Sequence, residues 1–146
     1  MILVDSNLLL YAYNASALEH ERAKAWLEER LSRPEPVGLA SSSLGAFLRL
    51  ATHRAVFPSP YAIDEATAIV DSWLARPMVT RLEPGERFWS IARPLLESSN
   101  ARGPFVADAL VAALALEHGA TLATHDADFL RFPALRTVDP LADQPA

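Results

Sequence analysis

The sequence contains no cysteine among its 146 residues, which excludes disulfide bonds and thiolate metal sites. It also has no apolar run as long as the roughly 18 residues of a membrane-spanning helix, so no membrane association is expected. The apolar start of the chain carries no basic leader and is interrupted by Asp5, which predicts that it belongs to the fold and is not a signal peptide. A chain without cysteine is consistent with a cytoplasmic location.

Positive charge is scarce as well. Lysine and arginine together number 13 against 18 acids, which gives a formal net charge of −5, and Lys24 is the one lysine. This balance is not typical of a protein that binds nucleic acid through a basic surface. If the chain acts on nucleic acid, a bound cation would have to offset its own acids.

Several well-known site motifs are absent. The four histidines show no paired ligand spacing and no HExxH motif, which weakens a zinc site. The sequence has no GxGxxG, no P-loop and no GxSxG, so dinucleotide-binding, nucleotide-binding and serine-hydrolase functions lack support.

Short apolar runs alternate with amphipathic segments along the chain. Strands are predicted at 1–4, 37–40, 78–82, 121–123 and 136–138, and helices at 6–13, 18–31, 41–53, 63–75, 86–97 and 104–118. Serines 41–43 are expected to cap the third helix, and Gly119 to end the last one. The alternation predicts a single α/β domain over 1–146, with a central parallel sheet of about five strands between helices and a loose tail after Pro140.

Acidic residues follow two of the predicted strands. Asp5 comes directly after the first strand, and Asp126 and Asp128 follow the fourth. Asp108 is the one polar side chain between 105 and 116, a stretch whose apolar character predicts a buried helix. Ligands of open α/β sheets bind at the carboxyl ends of the strands, so these acids are expected to converge there.

Taken singly, the acids also have structural explanations, because Asp5 suits a helix cap and Asp126 or Asp128 suits a turn. Asp108 is harder to explain in this way, since a lone buried carboxylate is costly. Converging carboxylates raise one another's pKa, and a hard divalent cation such as Mg²⁺ or Mn²⁺ relieves the repulsion. The pattern therefore predicts metal-assisted hydrolysis of a phosphodiester.

Three segments carry a family resemblance: VDSNLLLYAY, FLRLATHRAVF and VADALVAALALEHGATLATHDADFLRF. They resemble PIN-domain proteins, and more specifically the VapC-type toxins of bacterial toxin–antitoxin pairs. The resemblance implies a three-layer α/β/α fold and a Mg²⁺- or Mn²⁺-dependent endoribonuclease. It also implies a homodimer and a small cognate antitoxin that neutralises it. The implied RNA substrates are structured molecules such as tRNA or ribosomal RNA.

The resemblance also implies roles for individual residues. It makes Asp5, Asp108 and Asp126 catalytic and metal-binding residues and Asp128 a further metal ligand. It gives supporting roles to three polar positions in this sequence, which are Ser6, Asn7 and Thr124.

One position departs from the family pattern. The family usually has a glutamate where this sequence has Ala46, just before the Phe-Leu-Arg segment. Its absence is expected to weaken metal binding and hydrolysis while leaving the fold intact, because alanine is the best helix former. Either a natural variant that has lost activity or a deliberate substitution would explain the alanine, and the retention of the other acids favours the second.

Substrate contacts and alternative functions follow from the remaining charged residues. Arg49 and Arg102 are candidates for contact with RNA phosphates, although surface ion pairs would explain them equally well. A non-catalytic PIN-like module that only binds antitoxin or RNA is the alternative function. Phosphotransfer domains fit poorly, because Asn7 stands where a dehalogenase-type phosphatase needs an acid and Lys24 is far from the fifth strand, where a receiver domain needs its lysine.

Overall fold

The computed structural model describes residues 1–143, and residues 144–146 lie outside the described part of the chain. Six α-helices and one 3₁₀ helix connect five strands within it. In chain order the elements are β1 (Ile2–Val4), α1 (Ser6–Tyr13), α2 (His20–Leu31), β2 (Val37–Ala40), α3 (Ser41–Ala51), α4 (Ile63–Leu74), β3 (Val79–Leu82), α5 (Phe88–Ser98), α6 (Pro104–Glu117), β4 (Thr121–Ala123), the 3₁₀ helix (Ala127–Arg131) and β5 (Thr137–Val138).

The five strands form one parallel sheet in the order β3-β2-β1-β4-β5. β1 therefore lies between β2 and β4, with Leu3 opposite Gly38 on one side and Leu122 on the other. The strand order reverses direction at β1 and β4, which is where ligands of such sheets bind. The predicted α/β/α fold with a central parallel sheet of five strands is confirmed.

Two hydrophobic cores cover the two faces of the sheet. Helices α1 to α4 pack on one face, where Leu8, Phe47 and Trp73 are buried. Helix α6 and the 3₁₀ helix pack on the other face, where Ala112 and Phe129 are buried. Successive side chains of a strand point to opposite faces, so the short apolar strands are covered on both sides.

The helix boundaries differ in places from the predictions. Helix α3 starts at Ser41 with Ala40 as its N-cap residue and no capping side chain, so the predicted serine cap is wrong. The Ser41 hydroxyl instead hydrogen-bonds the Glu83 carboxylate, a partner from the end of the neighbouring strand. Gly119 follows α6 with a φ of +63°, in the left-handed region that glycine adopts without strain, as predicted.

Leu141 lies in the segment that was predicted to be a loose tail. Leu141 is buried, and its carbonyl oxygen accepts a hydrogen bond of 2.6 Å from Arg22. Its side chain joins the core of α1 to α4, and a loose tail stays a prediction. The rest of the predicted tail, residues 144–146, lies outside the described residues. None of the helices within 1–143 has the length and apolarity needed to cross a membrane.

Candidate active site

Asp5 lies at the carboxyl end of β1 and is 5% exposed. Its backbone N–H donates to the Ala123 carbonyl oxygen at 3.0 Å, which ties the ends of β1 and β4 together. Asp5 is the N-cap residue of α1, and its side chain makes no capping hydrogen bond, although the first backbone N–H groups of α1 stabilise its charge.

Thr124, just after β4, connects Asp5 to Asp126. Its Oγ1 donates to Asp5 Oδ2 at 2.7 Å and accepts the Asp126 N–H at 3.0 Å. Asp126 Oδ1 in turn accepts the Asp128 N–H at 2.9 Å. Within residues 124–128, the Thr124 hydroxyl therefore orients Asp5 and the Asp126 backbone, and the Asp126 carboxylate orients the Asp128 backbone.

Burial raises the pKa of Asp5, and the negative charge of Asp126 raises it further. The Thr124 hydrogen bond and the backbone N–H groups of Asn7 and Ser6 act in the opposite direction. The Ser6 hydroxyl also donates to Asp5 Oδ1 at 3.5 Å. The three residues predicted to support the acids, Ser6, Asn7 and Thr124, thus all contact Asp5. Asn7 does so through its backbone N–H.

Asp108 lies in the second turn of α6 and is half-buried. The prediction of a fully buried helix is wrong for this end of α6, because Val106 and Ala107 beside it are exposed. Partial burial, followed by the charges of Asp126, Asp5 and Asp128, raises the pKa of Asp108 to about 6. The carboxylate has no compensating hydrogen bond in the described chain, so its ionised form is poorly stabilised.

Three of the four predicted metal ligands come within ligand distance of one another. Asp108, Asp126 and Asp128 each place a carboxylate oxygen within 4.8 Å of the others. Asp5 lies outside this group, although its charge acts on Asp108. All-carboxylate oxygen donors suit a hard cation such as Mg²⁺ or Mn²⁺. The residues present therefore fit a divalent metal, with Asp5 as the acid at the base of the site.

Ala46 faces the same site from α3. A cavity of about 170 Å³ lies between α3 and α6 and is lined by Ala46, Asp5, Asp108 and neighbouring residues. Position 46 therefore shares a cavity with two of the acids, and the family resemblance predicts a carboxylate at this position. The alanine leaves space in place of that group.

The comparisons with known proteins agree with this geometry. A family model described as PIN domain matches residues 2–135. Ribonuclease VapC43 of Mycobacterium tuberculosis is 42% identical over 144 residues, which cover 99% of this chain and 98% of the relative. The chain belongs to the VapC family of PIN-domain ribonucleases.

Solved structures of lower identity share the fold. The crystal structure of VapC20 of Mycobacterium tuberculosis, a sarcin-ricin loop cleaving toxin, has a TM-score of 0.65 at 24% identity and covers 89% of this chain and 93% of that one. A toxin-antitoxin complex from Klebsiella pneumoniae has a TM-score of 0.63 at 18% identity, with 96% and 98% covered.

Other groups beside the acids in this VapC-family chain were not predicted as site residues. His125 Nδ1 lies 2.9 to 3.0 Å from both carboxylate oxygens of Asp139, and its ring meets Tyr11 edge-on. Burial raises the pKa of Tyr11, with contributions from acids that include Asp126. Arg131 stacks on Phe105. No short-range sequence pattern marks these contacts, since each joins residues at least 14 positions apart.

The two arginines predicted to contact RNA lie on the surface. Arg49 and Arg102 are exposed, and neither forms an ion pair within residues 1–143. The alternative explanation as surface ion pairs therefore has no support in the described chain, and RNA contact by these two residues stays a prediction.

The Asp108→Asn variant is expected to be more stable than the parent at pH 7.5 in the presence of chelator. The pKa of Asp108 is 3.8 ordinarily and about 6 in the fold, so the folded state binds more protons than the unfolded state between these values. Stability contributed by this group therefore falls as pH rises through about 4 to 6 and stays lost above it. Thermal melts at pH 4.5 and 7.5 measure this. A variant that is no more stable than the parent at pH 7.5 would contradict the assigned pKa.

The Thr124→Val variant is expected to lose about 1–3 kcal/mol of unfolding free energy, because it leaves a buried carboxylate oxygen of Asp5 without its donor. Mn²⁺ affinity is expected to fall about 10- to 100-fold, as it does when groups that orient metal ligands are removed. Urea unfolding and Mn²⁺ titration measure the two effects. Thr124→Ser keeps the hydroxyl and is the matched control, and equal behaviour of the two variants would refute the role of Thr124.

Proposed function

We propose that this chain is a Mg²⁺- or Mn²⁺-dependent endoribonuclease toxin that a cognate antitoxin neutralises, and that Ala46 leaves it weakened or inactive. The observation that carries the proposal is the convergence of three carboxylates, within 4.8 Å of one another, at the carboxyl ends of the central strands. A divalent cation bound there would activate water and offset charge on the scissile phosphate. It would also allow an acidic chain to hold a polyanion.

In this proposal the chain's own residues have distinct roles. Asp108, Asp126 and Asp128 hold the cation, and Asp5 completes the acidic site from the end of β1. Thr124 fixes the orientation of Asp5 and Asp126 through its two hydrogen bonds. Ser6 and Asn7 stabilise the ionised form of Asp5.

The proposed partners follow from the family. VapC43 is named a ribonuclease, and VapC20 is described as cleaving the sarcin-ricin loop. The VapC20 description supports a structured ribosomal RNA as the substrate, and the family resemblance adds tRNA as a second candidate. The Klebsiella complex supports an antitoxin partner. We also propose that the chain acts as a homodimer in the cytoplasm, and that Arg49 and Arg102 contact RNA.

The decisive test is cleavage of a defined RNA pool by the purified Ala46→Glu variant with Mg²⁺, with Mn²⁺ and with chelator. Internal cleavage that requires metal is expected. The Ala46→Glu, Asp126→Asn double variant is the control for a contaminating nuclease and should not cleave. Equal cleavage by the two proteins, or cleavage that persists in chelator, would contradict the proposal.

A non-catalytic binding module is the second candidate, and Ala46 is the observation that favours it. Ala46 borders the cavity beside Asp5 and Asp108, so the site lacks the glutamate that is usual in the family. If the parent chain binds RNA or antitoxin tightly and the Ala46→Glu variant still cuts no RNA, this alternative accounts for the chain better.

A further inference from the structure

Arg131 is a positive side chain at the edge of the acidic site. It ends the 3₁₀ helix that carries Asp128, and its Nε donates to the Asp128 carbonyl oxygen at 3.0 Å. Its guanidinium carbon lies 4.0 Å from the centre of the Phe105 ring, on the first turn of α6. The guanidinium is therefore held between the two segments that supply the metal-binding carboxylates.

Most N–H donors of this guanidinium have no hydrogen-bond partner within residues 1–143. An arginine carries five N–H donors, and within residues 1–143 only the one on Nε forms a hydrogen bond. Arg131 Nη2 lies 3.8 Å from Asp128 Oδ1, which makes a loose ion pair without a hydrogen bond. The side chain is 30% exposed, and its other four donors have no hydrogen-bond partner within residues 1–143.

Its surroundings distinguish Arg131 from the other arginines. Its charge lowers the pKa of Asp108, whereas no other cation contributes to that pKa in the described chain. Arg93 pairs with Glu97 on the exposed surface of α5, and Arg33, in the loop after α2, pairs with Glu29. The carbonyl bond and the ring contact restrict the rotation of Arg131, which reduces the entropy lost when it binds a ligand. A planar fork with paired donors matches the oxygens of a phosphate.

We propose that Arg131, stacked on Phe105, binds a phosphate of the RNA strand beside the scissile bond and positions that strand against the acidic cluster. This inference rests on the proposed function, because it assumes that RNA is the ligand of the site. Arg131 would position the substrate from the 3₁₀ helix. Its guanidinium would also supply local positive charge in a chain of net charge −5. Phe105 contributes by holding the guanidinium plane.

The experiment measures binding of a fluorescein-labelled single-stranded RNA oligonucleotide in chelator, across a range of salt concentrations. Arg131→Gln is expected to weaken binding about 10-fold at low salt and to reduce the slope of log affinity against log salt by about 0.7, the value for one phosphate contact with a single strand. Arg131→Lys should keep the slope but not all of the affinity, because lysine lacks the paired donors. Phe105→Leu should weaken binding with the slope unchanged.

Arg33→Gln is the matched control, since it removes the same charge from the loop before β2, at the opposite end of the sheet. Thermal melts verify that each variant is folded. If RNA binds the parent but Arg131→Gln has the affinity and slope of Arg33→Gln, the role of Arg131 is overturned while the proposed function stands. If the parent chain and its Ala46→Glu variant bind neither this oligonucleotide nor a structured RNA, in chelator and with Mg²⁺, both proposals are overturned.

Discussion

Replacing Ala46 by glutamate is expected to raise metal-dependent RNA cleavage on the order of 100-fold above the parent chain. Loss of a group that only orients a metal ligand typically costs about 10- to 100-fold in metal affinity or activity. A carboxylate at position 46 would lie beside Asp5 and Asp108, so its effect should be at the upper end of that range. Initial cleavage rates of one RNA in saturating Mn²⁺ measure the effect.

Ala46→Gln is the matched control, because glutamine has nearly the same size and helix propensity without the charge. It is expected to cleave no faster than the parent. In chelator the glutamate variant should melt below the glutamine variant at pH 7.5, since the added charge repels acids whose pKa values are already raised. Mn²⁺ should reverse this order. Equal cleavage by both variants would show that filling the cavity, and not adding a carboxylate, restores the cleavage rate.

Replacing Asp126 by asparagine is expected to cause the largest loss, at least about 100-fold in Mn²⁺ affinity, because Asp126 is proposed to contact the metal directly. Asp126 is one of the three converging acids, and its charge raises the pKa of both Asp5 and Asp108. An asparagine oxygen can still accept the Asp128 N–H, so the local fold should persist. Calorimetric Mn²⁺ titration of the Asp126→Asn variant measures the loss.

The same variant should lower the pKa of Asp108 from about 6, since one of the charges that raise it is removed. An NMR titration of the Asp108 side chain in chelator detects this without any metal. Asp71→Asn is the control, because Asp71 is an exposed acid of α4 with no side-chain hydrogen bond or ion pair in the described chain. An Asp126→Asn variant with the metal affinity and Asp108 pKa of the control would exclude Asp126 from the site.

The sheet and the convergence of the acids were predictable from the sequence for a physical reason. Short apolar runs that end in polar residues indicate buried parallel strands, and the carboxyl ends of such strands share one edge. Asp5 and Asp126 follow β1 and β4, and the structure places these two strands side by side. The assignment of metal ligands remains a proposal, although the structure places three of the four acids together.

The exposure of α6 was not predictable from its composition. Its residues are apolar on nearly every side, which predicts burial, yet the first two turns border the cleft around Asp108. The helix is rich in alanine, which tolerates either a cleft or a core. Only the tertiary structure shows which part of the helix is covered.

The contacts of Arg131 and His125 could not be read from the sequence either. Phe105 and Arg131 are 26 positions apart, and His125 and Asp139 are 14 apart, so no helical or strand periodicity links them. Their pairing depends on how the 3₁₀ helix and the segment after β5 pack beside α6 and β4. The position of Ala46 became informative only through the family resemblance, because an alanine in a helix carries no signal of its own.

The most direct test of the central claim is an anomalous difference map from a crystal of the Ala46→Glu variant grown with Mn²⁺. The account predicts the strongest peak among the carboxylates of Asp108, Asp126 and Asp128, and no such peak in the variant that also carries Asp126→Asn. A map with no Mn²⁺ peak at these acids, or with the same peak after Asp126→Asn, would contradict the claim that this cluster is the metal centre of a ribonuclease.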